Sequence, residues 1–390
     1  MKHILPYQIS YYEILVNLIN NPDKEITSRV GDVRSRFSEK IKVDLKKEFP
    51  LMDIKQTSFK NIAVELIWFI NGETNIKYLV DNKCFIWNDD AFRWYNEKYV
   101  PLGAPTITKE EFIEKVKVGE IFRYDDKFDQ TGLKLSHYTY GDLDIVYGRQ
   151  WRSFGGKVDQ LKDMINMLRK NPDDRRMIVL GHNPADIKDG NVGLPACHNY
   201  MQVYTQPITV NRRAEIALER GLLEGELKDL VDANIFYKKG YGIQISKDTL
   251  KDIDARLDAL GIEKRYLSCF LNIRSNDFFL GNPYNVASYA LLTKMIAQCV
   301  GMLPNILSIE MVDCHLYTPH LEAAHEWIAR FEAKLEENNS HNPAQVDKTF
   351  FCKSEVELNP SIKEIDEFIL SDLKIINYSH LGKIQAPLLT

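Results

Sequence analysis

The chain has 390 residues, of which 44% are apolar, and it carries a formal net charge of −5. This length is ample for a sizeable core, and the composition is typical of a globular protein. The acidic balance excludes an overall basic field of the kind that binds nucleic acid. The six cysteines form no Cys-x-x-Cys pair, which argues against a disulfide framework and a zinc site, so we expect a cytoplasmic protein without a bound metal.

No segment has the sequence pattern of a membrane anchor. The start, Met1 to Pro6, has too short an apolar run for a signal peptide. The longest apolar segment, 287–297, is interrupted by Ser288, Thr293 and Lys294. We therefore expect neither a membrane span nor a membrane partner.

The first half of the chain alternates between apolar patterns and charged stretches. Residues 97–141 are charged with weak periodicity, and we interpret them as an insertion with one short helix near 109–118. The other predicted elements are a helix at 7–20, a strand at 37–45, a helix at 58–69, a helical and then strand-like segment at 77–94, a helix at 158–168 and a strand at 177–180.

The second half contains a stretch of different composition. Residues 205–266 are rich in Lys, Glu, Asp and Arg and predict two helices, the second beginning at Ser246 and ending at Gly261. We interpret this stretch as a helical insertion, either a solvated decoration or a partner-binding module. The flanking elements are predicted as strands at 199–204, 267–273 and 306–317 and helices at 286–300 and 319–335.

A cysteine stands where a strand begins, in the stretch Leu194-Pro195-Ala196-Cys197-His198. Proline restricts its own backbone and that of its predecessor, so the cysteine is presented at the mouth of the strand in a defined direction. A thiol near cations is a candidate nucleophile there. From these five residues alone, a buried cysteine beside a core histidine is the commoner outcome.

Two further charged features are ambiguous by themselves. Glu65 lies within an apolar helix pattern, where it is either an exposed residue or a buried acid with a raised pKa. Arg175 and Arg176 precede the strand at 177–180 and form either a salt-bridged corner or a phosphate fork.

The order of five stretches indicates a family. The chain resembles thymidylate synthase and its relatives, the deoxynucleotide hydroxymethylases, over most of its length outside the two insertions. The stretches are VYGRQWRSF at 146–154, DDRRMIV at 173–179, LPACH at 194–198, RSNDFFLGNPYNVASYALL at 274–292 and DCHLYTPH at 313–320.

The resemblance implies one α/β domain over 1–390 with the insertions 97–141 and 205–266. Its large mixed sheet would form a dimer interface with one face and carry helices on the other. It implies one-carbon transfer from methylenetetrahydrofolate, the cosubstrate, to carbon 5 of dUMP, giving dTMP and dihydrofolate. The implied enzyme is a homodimer with shared active sites.

The resemblance also assigns catalytic roles. Cys197 is the implied nucleophile, which adds to carbon 6 of uracil and makes carbon 5 reactive. Arg274 is the candidate cation that lowers the pKa of this thiol. Glu65 would organise water and relay protons, while Tyr147 and His198 would help to move the proton from carbon 5.

The implied binding residues fall into a nucleotide set and a folate set. The nucleotide set is Arg29, Arg274 and Ser275 from one subunit, Arg175 and Arg176 from the other, Asn285 at the base, and His315 and Tyr317 at the sugar. The folate set is Lys55, Ile86, Trp87, Asp277, Leu280, Gly281 and Tyr284, of which Asp277 also belongs to the implied catalytic residues. Because the Asn285 amide both donates and accepts, it suits uracil, whereas an aspartate there would suit cytosine.

Two other functions compete with this one. Asp90 stands where some relatives have a second tryptophan, and a polar wall could admit water, which favours a dUMP hydroxymethylase releasing 5-hydroxymethyl-dUMP and tetrahydrofolate. Trp87 and the stretch 386–388, which resembles the closing tail of the family, suit water exclusion and hence dTMP synthesis. A non-catalytic binding protein is the third option, and the argument against it is the complete set of Cys197, Glu65, Asn285 and Arg274.

Overall fold

A computed structural model describes residues 4–28, 31–128, 134–238, 246–337 and 354–389. The described chain is an α/β structure built on a six-stranded sheet. The strands are β1 Lys24–Ser28, β2 Gly31–Asp44, β3 Ile121–Phe128, β4 Lys134–Thr139, β5 Ile178–Leu180, β6 His198–Pro207, β7 Arg265–Asp277, β8 Leu303–Tyr317, β9 Glu355–Leu358 and β10 Leu373–Ile376. The α-helices are α1 Tyr7–Asn20, α2 Phe59–Ile70, α3 Lys77–Asp81, α4 Asn88–Trp94, α5 Lys109–Val118, α6 Tyr147–Arg152, α7 Gln160–Lys170, α8 Pro184–Lys188, α9 Val210–Glu219, α10 Gly225–Lys238, α11 Lys247–Ala259, α12 Gly281–Cys299 and α13 Leu321–Glu337.

The large sheet is mixed and has the strand order β1-β2-β8-β7-β6-β5. Neighbouring strands are antiparallel except β7 and β8, which are parallel. Parallel neighbours need a crossover connection, and α12 supplies it. The register pairs His198 at the start of β6 with Ile273 on β7, which places Cys197 beside the end of β7.

One face of the sheet is covered by helices. Helix α1 packs on β2 and β8, and α12 packs on β7 and β8. Helix α12 is apolar on most sides and nearly all of it is buried, as expected for a central helix. The residues of β7 that face it, Leu271 and Ile273 among them, are fully buried.

The opposite face of the sheet carries exposed apolar side chains that none of the described residues covers. On β6 the side chains alternate, so that Met201 and Val203 are buried while Tyr204 is 65% exposed. On the edge strand β5, Ile178 pairs with Gln202 and Leu180 pairs with Tyr200. Both side chains therefore lie on the same face as Tyr204, and both are exposed there. This face therefore presents exposed apolar side chains from neighbouring strands.

The segment at 77–94 is not strand-like in its second part, so that prediction was wrong. Helix α4 follows Trp87 and continues into a π-helical turn at Tyr95–Tyr99. Trp87, Ala91 and Trp94 recur at helical spacing and are all buried, which explains why the aromatic run forms a helix.

The predicted insertion at 97–141 contains α5, with the predicted bounds, and also the hairpin β3–β4, which was not predicted. Thr108 caps α5, and Gly119 ends it with a positive φ of 67°. The Phe112 ring packs against Tyr95 and Tyr140, so this part of the chain shares the main core.

The predicted helical insertion at 205–266 contains three helices, α9, α10 and α11, where two were predicted. Ser246 caps α11 by accepting a hydrogen bond from the Thr249 N–H, and Gly261 follows the helix with a φ of +70°. These helices have their own apolar core, which includes Ile253 and Leu257 and is separate from the main core. The described part of 205–266 is therefore packed as a small unit at the ends of β6 and β7 that it connects.

Candidate active site

Arg274 braces the loop that carries Cys197. The backbone N–H of Arg274 donates to the Cys197 carbonyl at 2.8 Å. Its guanidinium donates to the carbonyls of Ala196 at 2.9 Å and Pro195 at 2.8 Å. These three bonds fix the loop on the end of β7, so the thiol is held in one direction by a group that also carries positive charge.

The Cys197 thiol is half-buried, and two effects oppose each other there. Burial raises the pKa of the Cys197 thiol, whereas the Arg274 charge and the Tyr147 hydroxyl lower it. Burial outweighs the cation in the single chain, so the net pKa of the thiol is raised, although Arg274 lowers it as expected. The Asp90 charge also raises the pKa of this thiol.

Tyr147 and His198 form the wall next to the thiol. The Tyr147 hydroxyl accepts a hydrogen bond from the Cys197 N–H at 2.7 Å, and its ring centroid lies 5.1 Å from that of His198. Burial lowers the pKa of His198 to about 4, against a hydrogen bond with Asn285 that raises it. His198 is therefore a neutral imidazole at neutral pH.

Glu65 is a half-buried acid on α2. The Trp87 indole N–H donates to the Glu65 carboxylate at 2.7 Å. Burial raises the pKa of Glu65 to about 7, and the Trp87 bond lowers it. Its charge also raises the pKa values of Tyr147 and Tyr284, which places all three groups around one space. A carboxyl group with a pKa near neutrality suits general acid–base work.

Asn285 projects from the first turns of α12 toward the same space. Its side-chain oxygen accepts a hydrogen bond from the Asn276 amide at 3.0 Å. A Cβ placed on Gly281 would lie 3.5 Å from the Asp277 Cβ and 3.7 Å from the Asn285 side-chain oxygen, so Gly281 lies between these two residues. Asp277 accepts the backbone N–H groups of Phe279 and Leu280, both at 3.1 Å, and so shapes the start of α12.

The predicted sugar and phosphate residues of β7 and β8 lie together. Ser275 pairs with Asp313, and Asp277 pairs with His315, across the parallel strands. The rings of His315 and Tyr317 are 5.0 Å apart. The contact with His315 holds the pKa of Asp313 well below its usual range.

Arg29 lies outside the described residues, whereas Arg175 and Arg176 are described and exposed. They precede Ile178, which pairs with Gln202. Along β7, Cys197 lies beside Arg274 and Gln202 pairs with Phe270, four residues away, so the backbone of Ile178 and of the residues before it lies roughly 13 Å or more from Cys197 of the same chain. They do not join that thiol in one site within one chain.

The predicted folate residues line the space on the side of α2 and α12. Ile86, Leu280 and Tyr284 are half-buried, and Trp87 is buried. Lys55 is only 4% exposed, and its ammonium donates to the Phe279 carbonyl at 2.7 Å. Burial lowers the pKa of Lys55 to about 8. Its predicted contact with a folate tail stays a prediction, because the ammonium already has a partner.

Two residues that shape the site were not predicted from the sequence. Asn276 orients the Asn285 amide, and Arg93 joins the Asp90 carboxylate, at 2.9 Å, to the Gly193 carbonyl, at 3.2 Å. Asn276 belongs to the RSND stretch, which was a usable signal. The contact between Arg93 and Gly193 joins residues that are a hundred positions apart, so no local sequence pattern indicates it.

The described residues contain no group of three or more His, Cys, Asp or Glu side chains arranged to hold a metal ion. Within those same ranges, every helix is too short or too polar to cross a bilayer.

The raised pKa of Glu65 predicts a pH-dependent stability difference for Glu65→Gln. The pKa rises from its usual value of 4.5 to about 7 in the folded chain, so Glu65 contributes stability at low pH that is lost as pH rises through 7. The glutamine does not titrate. From pH ~5 to pH ~8 the variant should therefore gain about 2 kcal/mol in free energy of unfolding relative to wild type. Urea titrations measure this, with exposed Glu322→Gln as control; a difference that stays constant with pH contradicts it.

Two comparisons with known proteins show which family this chain belongs to. The family model described as thymidylate synthase matches residues 9–220 and 254–390, which leaves 221–253 of the helical insertion unmatched. A thymidylate synthase of Phytoplasma mali (strain AT) is 31% identical over 374 residues, covering 96% of both chains. The chain therefore belongs to the thymidylate synthase family of one-carbon methyltransferases, whose cosubstrate is methylenetetrahydrofolate.

Proposed function

We propose that this protein converts dUMP and methylenetetrahydrofolate into dTMP and dihydrofolate, with Cys197 as the nucleophile. The observation that carries the proposal is the position of Cys197. Its loop is held by Arg274 and bonded to Tyr147, Glu65 acts electrostatically on Tyr147, and the neighbouring His198 is hydrogen-bonded with Asn285. One thiol, one acid with a pKa near 7 and one amide are the groups that this reaction requires.

The reaction begins when the Cys197 thiolate adds to carbon 6 of the uracil ring. The electron pair of the ring double bond moves toward the carbonyl at carbon 4, and the resulting enolate attacks the methylene carbon of the folate through carbon 5. As carbon 5 bonds to the methylene carbon, the bond between that carbon and folate N10 breaks and its electron pair stays on N10, which takes up a proton. The methylene carbon then joins carbon 5 of the base to folate N5. Asn285 is placed to bind the enolate oxygen and the adjacent ring N–H.

The second half of the reaction restores the ring. Carbon 5 loses its proton, tetrahydrofolate leaves with the electron pair of its carbon–nitrogen bond, and an exocyclic methylene remains on the base. Hydride from tetrahydrofolate reduces this methylene to a methyl group, which gives dihydrofolate, and the Cys197 thiolate leaves carbon 6. We assign the relay of protons to Glu65 and Tyr147, which share the space beside the thiol.

We also propose a homodimer, which the position of Arg175 and Arg176 supports. Both are exposed, and they lie beyond the pair of Ile178 with Gln202, on the side away from Cys197 of their own chain. The uncovered face of the sheet, with Tyr204, Ile178 and Leu180 exposed, is suited to a second copy of the chain. In such a dimer the arginines of each subunit bind the phosphate in the site of the other. Their charge would add to that of Arg274 and lower the pKa of Cys197.

A dUMP hydroxymethylase is the second candidate because of Asp90. Its charge acts on Cys197, and Arg93 holds it at 2.9 Å. A carboxylate in this wall can hold a water molecule, and water that attacks the exocyclic methylene would give 5-hydroxymethyl-dUMP and release tetrahydrofolate. The buried Trp87 indole beside Glu65 favours water exclusion and so favours dTMP.

Product analysis tests the proposed reaction. Enzyme, dUMP and methylenetetrahydrofolate should produce dihydrofolate, followed by absorbance, and dTMP, identified by mass, in equal amounts. Cys197→Ser should lose the activity by a factor of about a thousand or more because the hydroxyl is a far weaker nucleophile. Hydroxymethyl-dUMP without dihydrofolate would reject the first candidate in favour of the second. Full activity in Cys197→Ser would favour a binding protein.

Mixing two inactive variants tests the shared site. One variant is Cys197→Ser and the other is Arg175→Ala with Arg176→Ala. A mixed dimer has one site with an intact thiol and intact arginines, so an equal mixture after subunit exchange should recover ~25% of wild-type activity. Mixing Cys197→Ser with Glu65→Gln is the control, because both residues belong to the same site and no complete site forms. No recovery in the first mixture contradicts arginines supplied by the partner.

A further inference from the structure

The loop that carries Cys197 is also held at its other end, by helix α4. A Cβ placed on Gly193 would lie 3.0 Å from the Leu143 carbonyl oxygen and 3.1 Å from the Trp94 Cγ, so the chain passes here through a gap that suits only glycine. The Gly193 carbonyl accepts a hydrogen bond from the Arg93 guanidinium at 3.2 Å. Neighbouring residues of α4 therefore fix the start of the loop that ends at Cys197.

One nitrogen of Arg93 bonds to that carbonyl and to Asp90. The Arg93 Nη2 donates to the Asp90 carboxylate at 2.9 Å as well as to Gly193, and its Nη1 donates to Glu97 at 3.0 Å. The Asp90 side chain is 16% exposed, whereas the Glu97 side chain is 55% exposed. Because water screens an exposed ion pair, the sheltered contact with Asp90 is the stronger of the two.

These contacts set the position of the guanidinium. The Arg93 Nε is a buried polar atom that has no hydrogen-bond partner among the described residues. Leaving a buried donor unsatisfied costs free energy, so the bonds made by Nη1 and Nη2 outweigh that cost. Burial lowers the pKa of Arg93, but the contacts with Asp90 and Glu97 outweigh burial and raise it, so the guanidinium stays protonated.

The Asp90 charge acts on the thiol. Burial raises the pKa of Cys197, Arg274 and the Tyr147 hydroxyl lower it, and the Asp90 carboxylate raises it. These groups belong to α4, α6 and β7, so three elements contribute to the electrostatics of one thiol. A carboxylate without a cation beside it would oppose the negative charge that the nucleophile must carry. Arg93 is the cation beside Asp90.

We propose that Arg93 is a positioning residue that holds the Asp90 carboxylate at the start of the Cys197 loop and offsets its negative charge at the thiol. One guanidinium nitrogen joins Asp90 to the Gly193 carbonyl, so the carboxylate is paired at the point where α4 meets the loop. This role of Arg93 rests on the proposed function only in that Cys197 is the nucleophile. It acts on the thiol before nucleotide or folate binds, so it can be measured without either ligand.

Four variants change the two charges separately. Arg93→Met removes the cation and keeps a long side chain, whereas Arg93→Lys keeps a cation. Asp90→Asn removes the carboxylate, and the double variant, Arg93→Met with Asp90→Asn, removes both charges. Arg212→Met is the matched control, because Arg212 also bonds to two carboxylates of its own helix, Glu215 at 3.0 Å and Glu219 at 2.9 Å, on α9 of the helical insertion.

The experiment measures the rate at which iodoacetamide alkylates Cys197 in the full chain from pH ~6 to pH ~10, without ligands. Mass spectrometry of the peptide that contains residues 194–198 distinguishes this thiol from the others. Arg93→Met should move the midpoint of the pH profile upward and slow alkylation at pH ~7 about threefold or more, whereas Asp90→Asn should move the midpoint downward. The rise should disappear in the double variant, and Arg93→Lys and Arg212→Met should stay close to wild type.

The other titratable groups next to this set are the same in every variant. His198 has a pKa lowered by burial to about 4, so it is neutral over the whole pH range of the experiment. Burial raises the pKa of Glu65 to about 7, and its charge acts on Tyr147. A difference between variants therefore reports the two substituted charges.

Opposite shifts in the two single variants separate a charge effect from a loss of structure. A damaged loop would slow alkylation equally in Arg93→Met and in the double variant, and that result contradicts the role of Arg93. An unchanged midpoint in Asp90→Asn contradicts it as well, and this variant decides the question if Arg93→Met does not fold. Wild type that makes no product from dUMP contradicts the proposed function instead and leaves the alkylation shifts as they are.

Discussion

The site depends on the contact between Arg274 and the loop that ends at Cys197. Three hydrogen bonds from one residue, two of them from its guanidinium, replace the strand pairing that begins only at His198. Arg274 lies in β7, which pairs with β6 on one side and β8 on the other. The sheet therefore fixes the position of Arg274, and Arg274 fixes the loop that carries the thiol. Without this brace the loop at 194–197 would be an ordinary connection, and the thiol would have no fixed direction.

Burial is the main electrostatic influence on the site. It raises the pKa of Cys197 and of Glu65 and lowers that of His198. A dry site strengthens every charge that enters it, so the nucleotide phosphate and the partner's arginines would act there with little screening. In the single chain the pKa of the Cys197 thiol is therefore higher than the proposed chemistry needs. The proposed dimer would supply the positive charge that lowers it.

Elements with clear ends could be predicted from the sequence, and their long-range contacts could not. Helix α5 has its predicted bounds because Thr108 and Gly119 mark both ends, and α1 ends where Asn21 and Pro22 follow it. The strand expected near Trp87 is a helix because tertiary packing follows the spacing of the buried aromatics. The hairpin of β3 and β4 was not predicted because the charged sequence at 121–139 shows no clear alternation of apolar residues.

The same distinction applies to the candidate site. The order of the stretches around Cys197, Arg274 and Asn285 predicted which residues meet. It did not reveal that Lys55 is buried against Phe279 or that Asp90 is held by Arg93, because both depend on packing between distant segments.

The most direct test of Cys197 as the nucleophile uses 5-fluoro-dUMP, whose carbon 5 has no removable proton. Incubation with methylenetetrahydrofolate should trap the thiol of Cys197 on carbon 6, and mass spectrometry of the peptide that contains residues 194–198 should show the mass of both ligands. Replacing Arg274 by Met should slow formation of this adduct. An unmodified Cys197 in wild-type protein that binds both ligands would contradict nucleophilic attack by this sulfur.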